Sequence, residues 1–213
     1  MESTQKKLLI GLSKGFRYKE LFGKKIARIT AVLDLDSLHV DVIQDDYLIA
    51  KNYFDAMHIP ITSIKNFPRP ALSRNLLEYD YAIIFWDGDD LTNMVHAANL
   101  LKVPLRLVPV QITKVRNKDR DEEFDIYIGR GTPWGNPFPI GKGGTGDDRA
   151  TVIEKYRQHF KENVLTDPKM VNAILGLKGT RLGCHCSPLP CHGDIIAEFL
   201  NTYEHGNSNE DGE

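Results

Sequence analysis

The chain opens with blocks of apolar and polar positions whose period changes from one block to the next. Lys7 to Leu12 is a nearly continuous apolar run and predicts a buried strand, while Lys19 to Thr30 has the spacing of a helix. Leu38 to Gln44 alternates, with Val40 and Val42 set against Asp41, and predicts a second strand. Tyr47, Ile49, Ala50, Phe54 and Met57 then recur at helical spacing. Tyr81 to Trp86 is apolar throughout, the mark of a central parallel strand covered on both faces. A helix over Thr92 to Lys102 and a short strand over Leu105 to Val108 complete the series. Repeated strand, helix and strand predict an open parallel sheet in an α/β domain. Ligands of such sheets sit beyond the carboxyl ends of the strands, here at the loops after Leu12, Gln44 and Trp86.

From Pro109 to Glu123 the periodicity fades and charge rises, which predicts a boundary near residue 111, with an edge strand over Val110 to Val115 left open. The second half begins with a Gly/Pro-rich loop, Gly129 to Gly146. It continues with helices over Asp148 to Asn163 and Asp167 to Leu177, the latter started by Asp167-Pro168 and stopped before Gly179. A short strand, Arg181 to Gly183, and a last helix from Gly193 to Tyr203 follow. Residues 112–203 are expected to form a smaller α+β domain, and the acidic residues 204–213 a disordered tail.

Composition narrows the function classes. Apolar residues make up 41% and charged residues 26% of the 213, ordinary globular usage. A net charge of −2 argues against a nucleic-acid binder held by a basic surface, though not against a small phosphorylated ligand. No apolar run is long enough to cross a membrane, and Met1 to Lys7 has no signal-like apolar stretch. Cys184, Cys186 and Cys191 are an odd set packed too tightly for a disulfide framework, which suits a reducing, cytoplasmic compartment.

Trp86 to Thr92 (WDGDDLT) joins the long apolar strand to a helix, with Gly88 permitting the turn and Asp90 or Thr92 able to cap. The amides of such a helix start would attract an anion. Ser73-Arg74-Asn75, the stretch Tyr79 to Gly88, Ala97-Ala98 and Val103-Pro104-Leu105 together resemble the SLOG superfamily of Rossmann-like proteins. The resemblance implies a Rossmann-like open sheet and a nucleotide-derived ligand over Ser13, Arg74, Asn75, Asp87, Gly88 and Thr92. This chain departs from the superfamily at three points. Leu91-Thr92 stands for the usual Gly-Thr, Val95 for the catalytic Glu of its phosphoribohydrolases, and Gln44-Asp45-Asp46 for a Gly-Gly. These departures argue against phosphoribohydrolase chemistry by that route.

The loop from Ile128 to Thr145 sets many turn formers around Arg130 and Lys142, with Arg149 just beyond. Its glycines let backbone amides approach an anion, and its cations add charge-assisted hydrogen bonds. Trp134 and Phe138 are expected to pin it, turning Arg130 inward. It is not a Walker loop, because Gly143 follows Lys142. The densest chemistry lies in Gly183 to Asp194. Cys184, Cys186, Cys191 and His192 have the ligand types of a structural zinc site. Alternatively Cys191, at a helix start beside His192, is a low-pKa nucleophile with Asp194 as base or cap, or the cysteines are packing residues.

Tyr127-Ile-Gly-Arg-Gly, Trp134 to Phe138, Tyr156 and Gly183 to Asp194 closely resemble domain of unknown function 4326, common in phages and bacteria. Cys184, Cys186, Cys191, His192 and Asp194 fit that pattern, whereas His185 occupies a position often aromatic and is not counted as a ligand. The expectation is a protein, possible as a homo-oligomer, that processes a nucleotide or nucleoside derivative. It would act as a hydrolase of the N-glycosidic bond or a base- or sugar-modifying transferase, with Cys191, His192, Asp194, Arg130 and Asn136 as catalytic residues. A non-catalytic module that senses or sequesters a nucleotide signal is the alternative.

Overall fold

The structure, a computed structural model, describes residues 5–33, 37–120, 122–141 and 146–204. The chain divides into two compact units, one of Met1–Val110 with Tyr203–Glu213 and one of Gln111–Thr202.

In the first unit β1 (Lys6–Leu12), α1 (Lys19–Thr30), β2 (Leu38–Ile43), α2 (Ile49–Ala56), β3 (Ile61–Ile64), α3 (Leu72–Leu76), β4 (Tyr81–Trp86), α4 (Thr92–Leu100) and β5 (Leu105–Pro109) alternate. The strands form one parallel sheet in the order β3-β2-β1-β4-β5, with Ile10 in register with Val42 on one side and Ile83 on the other. Because side chains alternate across a strand, Leu9, Ile43, Ala82 and Ile84 face one layer, where they meet Leu76, Met94 and Ala98. On the other layer Phe85 stacks with Phe16 and Phe22, and Phe22 meets Phe54 edge to face. The continuous apolar runs of β1 and β4 are therefore buried on both faces, as parallel central strands must be.

Tyr18, at the start of α1, offers no side-chain cap. The carboxylate of Glu204 accepts from the Glu20 and Leu21 amides at 3.0 and 2.9 Å instead. Glu204, expected in a disordered tail, is thus an ordered cap. Residues 205–213 lie outside the described residues.

The second unit contains β6 (Lys114–Asn117), β7 (Ile126–Tyr127), α5 (Arg149–His159) running into a π-helical stretch (Phe160–Val164), α6 (Pro168–Leu175), β8 (Arg181–Cys184) and α7 (His192–Thr202). Its three strands pair in parallel in the order β6-β8-β7. The edge strand expected over Val110 to Val115 begins at Lys114 and belongs to this second sheet. A core of Ile128, Trp134, Tyr156, Phe160, Ile174, Leu182, Ile196 and Leu200 joins the strands to the helices. Gly183 is required at its place, because an added Cβ would stand 2.5 Å from the Phe124 ring. Asn201 clasps α7 to the start of β6, accepting from the Thr113 amide at 2.8 Å and donating to its carbonyl at 3.0 Å.

Candidate functional site

Each sheet ends in loops that carry chemistry. In the first unit Ser13 follows β1 and Asp87 follows β4, the two strands at which the order reverses. Ser13, fully buried, donates from Oγ to Asp87 Oδ1 at 3.0 Å and accepts from the Asp87 amide at 3.0 Å. The Asp89 and Asp90 amides donate to Asp87 Oδ1 at 3.1 and 3.0 Å, and the Lys14 amide to Asp90 Oδ2 at 2.9 Å. Thr92 Oγ1 donates to the Asp89 carbonyl at 2.6 Å. The chain's own carboxylates hold the Lys14, Asp89 and Asp90 amides at the centre of this turn, just ahead of the helix start at Thr92. Gly88, at φ +89°, makes the turn possible.

The Leu91 departure has a visible cost and a visible accommodation. Leu91 adopts φ +60°, the left-handed region in which glycine is at ease. Its side chain is buried over Gly11, where a Cβ would lie 2.9 Å from Leu91 Cδ1. Arg74, exposed, and Asn75, half-buried, lie on α3. No hydrogen bond or ion pair joins them to the Asp87 turn among the described residues. Two buried polar atoms at the same carboxyl edge, Gln44 Oε1 and Trp86 Nε1, have no hydrogen-bond partner among the described residues.

The second unit is different. Beyond the carboxyl ends of β7 and β8 opens a cavity of about 300 Å³. Its lining gathers most of the residues expected at a site: Arg130, Asn136, Arg149, Cys184, Cys191 and His192, with Cys186 beside them. Apolar wall is supplied by Phe138, Ile140, Val152 and Ile153. The Gly-rich loop is pinned as expected, with Trp134 buried and its carbonyl accepting from Tyr156 Oη at 2.8 Å. Asn136 Oδ1 folds the loop by accepting from the Phe138 amide at 2.9 Å. Gly135 allows the loop to close, since a Cβ there would stand 2.6 Å from the Gly129 carbonyl oxygen. Arg130 lines the cavity while remaining exposed, with Nη2 3.4 Å from the Phe138 carbonyl. Arg149 donates to the Pro190 carbonyl at 3.2 Å. Among the described residues neither arginine has a carboxylate partner, whereas Arg157 and Arg181 do. Lys142 lies outside the described residues.

The cysteine segment is wired differently from either chemical expectation. Cys184 and Cys191 place their sulfurs 3.4 Å apart. The hydrogen bond from Cys191, aided by the Ser187 and Cys186 amides and against burial, lowers the Cys184 thiol to about 6. Donation to Cys184, together with burial, drives the Cys191 thiol up. The Cys186 amide, turned onto the Cys184 sulfur, favours thiolate character on Cys184, at the end of β8, over Cys191 at the helix start. His192 is buried against Tyr156, with Nε2 2.8 Å from the Ile128 carbonyl, and burial lowers its pKa. Asp194 is exposed and accepts from the Cys191 amide at 2.7 Å, while its own amide donates to the Cys191 carbonyl at 3.1 Å. Of base and cap, it is a cap.

The zinc set fits poorly. Cys184 and Cys191 are bonded to each other, His192 Nε2 is spent on Ile128, and no group of three or more His, Cys, Asp or Glu side chains is arranged to hold a metal among the described residues.

Sequence reasoning passed over three residues here. Tyr127 Oη lies 3.1 Å from His185 Nε2, and His185 Nδ1 lies 2.6 Å from Asp119 Oδ2. Tyr127 and His185 both line the cavity.

A parallel sheet of order 3-2-1-4-5, covered on both faces and switching direction at β1 and β4, defines the N-terminal unit as a Rossmann-like α/β domain. Residues 5–116, more than half of the chain, match the minimal SLOG domain, and the chain belongs to that family. Residues 110–202 match domain of unknown function 4326. A relative from Enterobacteria phage T4, the uncharacterized 12.4 kDa protein in the nrdA-td intergenic region, is 38% identical over 91 residues, which are 43% of this chain and 80% of the relative. No solved structure matches the chain. No helix among the described residues is long and apolar enough to cross a membrane.

Proposed function

We propose that the protein processes a nucleotide or nucleoside derivative, as a hydrolase or transferase, and that the cavity of the C-terminal unit is where it does so. The observation that carries this reading is the pair Arg130 and Arg149 on one cavity, each held by a backbone carbonyl and neither neutralised by a carboxylate among the described residues. Two such guanidinium groups suit a phosphate, which they bind in fork geometry. The apolar wall of Phe138, Ile140, Val152 and Ile153 suits the flat face of a base. Membership of the minimal SLOG family supports a nucleotide-related ligand. Cys184, lowered toward the thiolate at neutral pH and lining the same cavity, is the nucleophile available for covalent transfer.

In the N-terminal unit the orphaned Trp86 N–H and Gln44 carbonyl suit neutral hydrogen-bonding groups better than phosphate, beside a turn that carries Asp87, Asp89 and Asp90. A second reading, binding without turnover, is favoured by one observation: His192 and Asp194 are both spent on the fold.

Nucleoside mono-, di- and triphosphates incubated with the protein, followed by calorimetry and by chromatography of the products, test both readings. Binding with altered product is expected. Binding without turnover selects the second reading, and no binding at millimolar nucleotide overturns both.

A further inference from the structure

We propose that Tyr127 is an activated phenol, a proton-transfer group serving the C-terminal cavity, driven by His185 and Asp119. The inference deepens the cavity reading and rests on it for the ligand, though not for the activation itself.

The parallel sheet brings the three residues together. β6 and β7 flank β8, with Asn117 in register with Cys184 and Tyr127 with Gly183. Residues just beyond those pairs, Asp119 on one side and His185 on the centre strand, therefore emerge at the same edge as Tyr127. Asn117, buried, ties the two loops together. Its Oδ1 accepts from the Asp119 amide at 2.8 Å, and its Nδ2 donates to the Ser187 carbonyl and, at 3.5 Å, to the His185 carbonyl.

Hydrogen-bond polarity fixes the direction of the chain. Asp119 is ionised, its carboxyl lowered by the bond to His185 and then by Lys118, so it accepts from His185 Nδ1–H. His185 Nε2 is then the acceptor for the Tyr127 hydroxyl proton. A carboxylate that orients an imidazole, which in turn takes the proton of a hydroxyl, is the logic of an activated nucleophile and base. Lys118 Nζ lies 5.8 Å from the centre of the Tyr127 ring and pairs with Asp119 Oδ1 at 3.1 Å. Gly129 clears the place: a Cβ there would stand 2.0 Å from Tyr127 Oη. In the reaction, Tyr127 Oη takes a proton from a hydroxyl of the ligand or of water as its own proton passes to His185 Nε2. The ligand oxygen keeps the electron pair as the attacking group, and the imidazolium is stabilised by Asp119.

A substrate-free probe tests this. p-Toluenesulfonyl fluoride sulfonylates phenols: the phenol oxygen bonds to sulfur, fluoride leaves with the S–F electron pair, and the phenol proton goes to the base. Peptide mass spectrometry reads Tyr127 against Tyr47, an exposed tyrosine of the other unit. Tyr127 is expected to react about a hundredfold faster than Tyr47, the low end of what general-base assistance supplies. His185→Phe should remove the advantage, and added imidazole should restore part of it at Tyr127 relative to Tyr47. Asp119→Asn should lower the rate by a smaller factor. His185→Gln, which keeps a hydrogen-bond acceptor but no base, should behave as His185→Phe if the fold is intact by thermal melting. Equal rates for Tyr127 and Tyr47, or full reactivity in His185→Gln, would overturn the proposal. Labelling needs no nucleotide, so a protein that labels as expected but binds no nucleotide fails the functional reading alone.

Discussion

The carboxyl edges of the two sheets meet solvent with opposite chemistry. At the N-terminal edge the polar groups of the Asp87 turn close on one another, with Ser13, four backbone amides and two carboxylates mutually bonded. At the C-terminal edge the cations Arg130 and Arg149 lean, among the described residues, only on carbonyls, and a lowered thiol and the Tyr127–His185 pair, backed by Asp119, open onto the same cavity. The Rossmann-like unit thus carries the more self-bonded turn, although Gln44 Oε1 and Trp86 Nε1 at the same edge keep no hydrogen-bond partner among the described residues. The difference teaches that loops at the same kind of sheet edge can close on one another or present charge to a cavity, and architecture alone does not decide which.

The contrast can be broken most sharply through charge. Arg130→Ala combined with Arg149→Ala is expected to weaken binding of a nucleoside monophosphate by about a hundredfold or more, since each charge-assisted bond contributes about 1.5–3 kcal/mol. Asp90→Asn should leave it unchanged, and calorimetry on both variants decides. Next, Ser13→Ala should destabilise the protein by about 1–3 kcal/mol in urea unfolding, because the Asp87 amide loses a buried acceptor, while nucleotide binding is kept.

The thiols give a third test. Iodoacetamide should modify Cys184 about tenfold faster than Cys191 near neutral pH, with a rate that rises as pH climbs through about 6, by peptide mass spectrometry. The folded Cys184 thiol is depressed, so its contribution to stability is complete above the unfolded value of about 8.5 and fades as pH falls through about 6. Faster modification of Cys191 would return the nucleophile to the helix start. The smallest effect is expected from Asp194→Ala. It should cost about 1 kcal/mol through the lost cap and, with the Asp194 charge gone, leave Cys184 slightly more reactive.

Much of the N-terminal unit was legible because its strands are buried on both faces and so write continuous apolar runs. β4 matches its predicted bounds, and α1 matches from Lys19 to Thr30. β3 was missed because Ile61–Ile64 is an edge strand whose Thr62 and Ser63 are exposed, which leaves no apolar run to read. β7 escaped, and β6 was anticipated only at Lys114 and Val115, for a related reason. A four-residue segment with two cations and a two-residue strand have no period, and only pairing with β8 makes them strands.

At the site, residue types were readable and wiring was not. The cluster from Cys184 to Asp194 announced chemistry, but which thiol loses its proton depends on the 3.4 Å contact across a loop and on amides that turn toward Cys184. His185 was set aside because its position is often aromatic in the resembled family. Its importance rests on Asp119 and Tyr127, 66 and 58 residues away in sequence, and the register that joins them is not written in either segment.

That register also sets an order of assembly. Both outer strands of the C-terminal sheet pair only with β8, which follows them in the chain by about sixty residues. A chain emerging from a ribosome therefore exposes β6 and β7 with no sheet to join until Arg181–Cys184 has been made, and such distant pairing is slow to find. Truncation before Arg181 should leave the cavity unformed, however complete the Gly-rich loop and α5 are, because the strand that carries the thiol is also the one that closes the fold.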